Sequence, residues 1–177
     1  MKKIMMMAAI VSVVSCNNGS TKNEQNDSVK VSNDVTYAYP INYSSKFEMA
    51  DPEKGKKITE LWKDFDDNMM DNHSNYFADT IAMDFPGMGF KGSRDSMVAM
   101  TKGYRSSLGT VSSNVDAVMS VRSTDKNEDW VLIWGIEHTT SAAGKSDSAH
   151  LHEIWKFNKD GKIDYMSQYR QDYPGKK

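Results

Sequence analysis

From Val111 onward the chain offers only strands. "VSSNVDAVMSVRS", "DWVLIWGIEHTTS", "AHLHEIWKF" and "KIDYMSQYRQDY" are rich in β-branched and aromatic residues, and the segments "TDKNE", "AAGKSDS" and "NKDG" between them are turn formers. A parallel pair needs a crossover of a dozen or more residues, so connections this short dictate an antiparallel meander. One face of such a sheet must be covered, and the helices that can cover it all come earlier in the chain. That order predicts an α+β domain with its helices packed on one face of the sheet.

The first helix is announced by "ADPEKGKKITELWKDFDDNMM". Asp51 is the N-cap, Pro52 takes the first helical position and Glu53 lies in the first turn. Ile58, Leu61, Trp62, Phe65 and Met69 recur at helical spacing as one apolar stripe. A short second helix is expected through "DNHSNYF", then a strand "DTIAMDF" closed by "PGMG". A third helix, "GSRDSMVAMTKGYRSSL", follows with Ser93 as its cap and Met97, Val98, Thr101, Tyr104 and Leu108 turned inward.

The N-terminus is of another kind. "MKKIMMMAAIVSVVSC" has two lysines, then Ile4 to Val14, apolar apart from Ser12. A bilayer-spanning helix needs roughly 20 apolar residues, and this core is shorter; it has signal-peptide length. Its ending, Val13-Val14-Ser15-Cys16, resembles the lipobox of bacterial lipoproteins, in which the cysteine is acylated and the preceding peptide removed. The resemblance implies a signal peptide over 1–15 and an anchor at Cys16, palmitate-type acyl chains holding the protein to a lipid bilayer. It places the protein in the cell envelope, at the outer membrane in preference to the inner. "NNGSTKNEQNDSVKVSND" is polar, without aromatics or periodicity, and cannot bury enough apolar area to offset ordering. The next stretch, with Tyr37, Tyr39 and Tyr43, either docks on the domain surface or extends the tether. Residues 16–46 are assigned to the lipidated cysteine and a flexible tether, and 47–177 to the domain. Cys16 is the single cysteine, which excludes an intrachain disulfide and any paired-cysteine metal site. A net charge of −2 with both signs mixed gives no basic field for nucleic acid.

Within the domain, "YFADTIAMDFPG", "FKGSRDSM" and "IWKFNKDGKI" occur in an order that resembles the nuclear transport factor 2 superfamily, which includes SnoaL-like polyketide cyclases and ketosteroid isomerase. The similarity covers roughly residues 55–173. It implies a cone-shaped fold: three N-terminal helices on a curved, mostly antiparallel sheet.

The segment "SAHLHEIWKF" carries the candidate chemistry. Side chains alternate along a strand, so His150 and His152 share one face and Glu153 the other. A four-residue turn with Gly161 in the left-handed position pairs Phe157 with Lys162. Leu151, Glu153, Trp155 and Phe157 then share a face with Met166, Gln168 and Arg170. This more apolar set is the concave face, and Trp130, Leu132, Trp134, Ile136 and His138 of the preceding strand are expected to extend it. A one-residue slip in "SAAGKSDS" exchanges His138 for Glu137.

The pocket so defined is lined by Trp62, Phe85, Trp134, Trp155, Met166, Gln168 and Arg170, with Glu153 and His138 as candidate catalytic residues. In the isomerase a protonated acid acts from this strand, eight residues before the hairpin glycine, and the resemblance puts Glu153 in that place. An apolar site keeps such an acid neutral. The isomerase also needs an aspartate directly before the proline that ends the first strand; here that residue is Phe85, and Asp84 is turned outward. No metal site is expected, since His150 and His152 with Glu137 are a conjectural zinc set, and no cofactor is called for. The functional expectation is a domain that binds a small apolar or aromatic ligand. The alternatives are an isomerase, cyclase or hydrolase using Glu153 and His138, and a protein-interaction module. The outer sheet face is a candidate homodimer surface.

Overall fold

The computed structural model describes residues 35–172. The expected signal peptide, Cys16 and the expected tether up to residue 34 lie outside the described residues. The elements run β1 (Phe47–Met49), α1 (Pro52–Asp67), a 3-10 turn (Ser74–Tyr76), β2 (Phe77–Phe85), β3 (Met88–Ser93), α2 (Arg94–Ser107), β4 (Thr110–Ser123), β5 (Glu128–Thr140), β6 (Ser146–Phe157) and β7 (Ile163–Asp172). They build one seven-stranded sheet in the order β1-β4-β5-β6-β7-β2-β3. The meander β4 to β7 is antiparallel as expected, and β2 joins β7 in parallel.

Both α-helices begin where their caps predict. Asp51 accepts from the Glu53 amide at 3.0 Å, and Ser93 accepts from the Ser96 amide at 3.2 Å. Of the three helices expected, two form among the described residues. "DNHSNYF" yields only the turn Ser74–Tyr76. Asn68, in the left-handed conformation at φ 58°, stops α1, and the segment left before β2 is too short for another nucleated helix. The sequence after Pro86 also holds a strand that glycine content concealed: "MGFKGS" pairs with β2 from Phe85↔Met88 to Thr80↔Ser93.

Two register details position the site. On the β6–β7 side, Gly161 takes the left-handed conformation at φ 69° and the Asn158 side chain accepts from the Asp160 and Lys162 amides. Phe157 faces Ile163, and a bulge at Asp164 then sets Glu153 opposite Gln168. The expected Phe157–Lys162 pairing is thus displaced by one residue and the bulge displaces it by one more, so the face sharing is unchanged. On the β5–β6 side the expectation fails by one residue. Ile133 faces Glu153 and Glu137 faces Ala149, while Trp134 and His138 face His152 and Ser148. The Ser141 amide donates to the Lys145 carbonyl and closes a loop that leaves odd residues opposite odd ones. Trp130, Leu132, Trp134, Ile136 and His138 therefore belong to the outer face, and Val131, Ile133, Gly135 and Glu137 to the inner one.

The core lies between that inner face and the helices. Ile58, Leu61 and Trp62 of α1 and Met97 and Val98 of α2 pack on Ile81, Ile133, Trp155, Ile163 and Met166. Gly135 permits a close backbone approach: a Cβ there would stand 2.1 Å from the Asn114 carbonyl oxygen, beside the register shift between Val115 and Ala117. Bulges of this kind bend a strand and turn the sheet toward its helices.

Arg105 locks the two helices together. It is 6% exposed, and its guanidinium donates to the carbonyls of Phe65 at 2.6 Å, Asp66 at 2.8 Å and Gly109 at 3.0 Å. A cation from α2 thus caps the negative end of α1. Asp66 in turn accepts from the Ser113 amide and hydroxyl, tying the same helix end to β4.

Candidate functional site: an apolar cavity with a buried acid

Between the helices and the inner sheet face lies a cavity of about 580 Å³. Its walls are apolar: Leu61, Trp62 and Phe65 come from α1, Met97, Met100 and Tyr104 from α2, and Phe77, Met83 and Phe85 from β2. Methionines Met70, Met83, Met88, Met97, Met100 and Met166 line it, and their unbranched thioethers can repack around ligands of different shape. A volume of this size suits a small organic molecule.

The polar groups are few and converge on the strands. Glu153, 5% exposed, receives three hydrogen bonds. Trp62 Nε1 donates to its Oε2 at 2.6 Å, Trp155 Nε1 donates to the same oxygen at 3.0 Å, and Gln168 Nε2 donates to Oε1 at 2.8 Å. Burial pushes the carboxyl above its ordinary range; the three hydrogen bonds oppose that shift and the nearby Glu137 charge adds to it. All three donors are neutral, so none of them supplies a charge to compensate an ionised Glu153. Turning over the Gln168 amide presents its oxygen to a protonated carboxyl, so the same frame serves both states.

Arg170 lines the cavity as expected from its face, but it does not serve Glu153. Its Nη1 donates to Glu137 Oε1 at 2.7 Å and its Nε to Asp172 Oδ1 at 2.6 Å. Glu137 is itself buried, and sequence reasoning had placed it on the lining only as the product of a register slip.

Trp62, Phe85, Trp155, Met166, Gln168, Arg170 and Glu153 thus border one cavity, whereas Trp134 and His138 do not. His138 Nδ1 lies 2.8 Å from Ser148 Oγ and its Nε2 lies 3.2 Å from Asn114 Nδ2, both on the outer face. The sheet separates it from Glu153, so the two cannot act as an acid–base pair. The zinc set fails for the same reason: Glu137 is on the inner face and both histidines are on the outer one. Asp84 is also outside, accepting from the Tyr165 hydroxyl at 2.8 Å.

Trp134 instead borders a shallower outer groove of about 420 Å³ with Asp116, His150, His152 and Tyr169. Its ring is edge-on to His152 with centroids 5.6 Å apart, and His152 lies 6.4 Å from Tyr169.

No protein-family model matches the sequence, and no curated protein matches it. Solved structures do match the fold. A protein from Shewanella denitrificans described as a SnoaL-like polyketide cyclase superposes with a TM-score of 0.56 at 11% identity, over 68% of this chain and 92% of that one. A nuclear transport factor 2-like protein of unknown function from Burkholderia pseudomallei gives 0.53 at 14% identity, over 67% and 90%. An epoxide hydrolase of Mycobacterium tuberculosis, described as LEH-like, gives 0.55 at 10% identity, over 67% and 83%. The chain therefore has the nuclear transport factor 2-like α+β fold, with two α-helices on a mixed, unclosed sheet.

Proposed function

We propose that this chain is an envelope lipoprotein, anchored through acylated Cys16, whose domain binds a small, largely apolar or aromatic molecule in the helix-covered cavity. The observation that supports binding is the cavity itself: continuous apolar walls that end on a hydrogen-bonded carboxyl with no acid–base partner. An apolar body gains from leaving water against such walls, and the few polar groups fix its orientation. The alternative in which Glu153 and His138 share a proton loses its geometry, because the sheet stands between them.

Protein purified from its own host is expected to carry a small molecule that native mass spectrometry registers as added mass. Met100→Trp places an indole in the cavity and should abolish that mass while the domain still melts cooperatively. Ligand retention unchanged in Met100→Trp would remove the cavity from the proposal, as would a wild-type protein that holds neither its own ligand nor an added apolar dye.

The anchor rests on the lipobox-like ending of a core too short to span a bilayer. Cys16→Ser is expected to leave an unprocessed precursor, detectable by its mass, that takes up no labelled palmitate. Undiminished labelling of that variant would show that the acyl chains, if present, are elsewhere.

A further inference from the structure

We infer that the cavity's preferred ligand is an apolar amine, seated with its ammonium on Glu153. The inference rests on the ligand-binding reading above and names the chemistry of the polar end. The cavity lining carries two carboxylates, Glu137 and Glu153, and one guanidinium, Arg170. That guanidinium is committed to Glu137 and to Asp172, the latter outside the lining. Glu153 is left with three neutral N–H donors and no counter-cation among the described residues that line the cavity.

The donors also leave a place for one. Oε2 receives both indoles, whereas Oε1 receives only Gln168, and a carboxylate oxygen has two acceptor sites. The open site belongs to a residue that borders the cavity. An ammonium there would make a charge-assisted hydrogen bond in a low-dielectric setting. The aromatic walls suit the same guest: Trp62, Phe77 and Trp155 line the cavity, and aromatic rings attract a cation as well as an apolar body. A neutral alcohol of the same shape would gain the apolar contacts and an ordinary hydrogen bond, but would not supply the missing charge.

Proton linkage follows from the charge. Without a ligand burial favours the protonated acid, and the other titratable groups on the cavity lining are Glu137 from β5, Arg170 from β7 and Tyr104 from α2. A bound ammonium favours the carboxylate, so amine uptake should strengthen as pH rises through the folded-state value of Glu153, releasing a proton below it, until the amine itself deprotonates.

The test is calorimetric titration of the full chain with phenylbutylamine and phenylbutanol, each in two buffers of different ionisation heat. The amine is expected to bind roughly tenfold or more tightly than the alcohol, with any proton release confined to the amine. Glu153→Gln should erase that preference. Equal affinities in the wild type would overturn the inference and leave the cavity a site for neutral molecules. The wild-type comparison stands even if the variant fails to fold. A preference that survives in folded Glu153→Gln would overturn it too. If neither compound binds, the ligand-binding reading falls and the inference falls with it.

Discussion

Glu153→Ala is expected to lower stability at neutral pH by about 2–4 kcal/mol, whereas Glu153→Gln should leave it unchanged or raise it. Alanine strands the indole N–H groups of Trp62 and Trp155 and the amide of Gln168 without their acceptor. Each buried orphan donor costs about 1–3 kcal/mol, moderated here because the adjoining cavity has room for water. Glutamine keeps an oxygen for the two indoles and removes the charge that burial penalises. The pH dependence carries the sign. The folded-state pKa of Glu153 lies above the ordinary value of 4.5, so the native state holds the proton more tightly than the unfolded chain. That contribution to stability is complete below the unfolded value and is lost as pH rises through the folded one. The stability that Glu153 itself contributes should therefore decline as pH climbs from 4.5 through the folded value, and Glu153→Gln should remove that component. Urea melts of the three proteins from about pH 4 to pH 8 measure both effects. A marked loss in Glu153→Gln at neutral pH would mean that Glu153 is held as a stabilised carboxylate.

Arg105→Met should cost about 3 kcal/mol or more, although Arg105 does not line the cavity. Methionine fills a similar volume but donates nothing to the carbonyls of Phe65, Asp66 and Gly109. Arg105→Lys should rescue only a fraction, because one ammonium cannot reproduce a planar fork that reaches three carbonyls at once. The readout is the midpoint of urea unfolding for both variants. If Arg105→Met unfolds at the wild-type midpoint, the helix-end cap is dispensable.

The two residues differ in how far sequence could reveal them. The placement of Glu153 on the inner face was legible because β6 is asymmetric: Leu151, Trp155 and Phe157 alternate with His150, His152 and Lys156. The caps Asp51 and Ser93 were legible because helix starts are written in local chemistry. β5 gave no such signal, since Trp130, Leu132, Trp134 and Ile136 are as apolar as Val131 and Ile133, and only the loop at Ser141–Lys145 decides between its faces. That ambiguity moved Trp134 and His138 to the wrong side and hid Glu137. The partnerships of Arg105 with α1 and of Arg170 with Glu137 link elements far apart in the chain, where no spacing rule applies. β3 was missed because three of the residues in "GMGFKGS" are glycines, which signal turns when read locally.

The parallel pairing of β2 with β7 has a consequence for how the molecule comes into being. β2 carries Met83 and Phe85, and its sheet neighbours are β3 and β7, so that cavity wall joins the meander only when the last strand is made. Joining Ala82 to Tyr165 closes a loop of ~80 residues, and that entropy must be spent before the contact gives anything back. Assembly governed by such a long-range contact is slow, on the order of milliseconds to seconds. A nascent chain halted before Ile163 would show β6 as an open edge beside an uncovered apolar face, the form most exposed to aggregation and proteolysis.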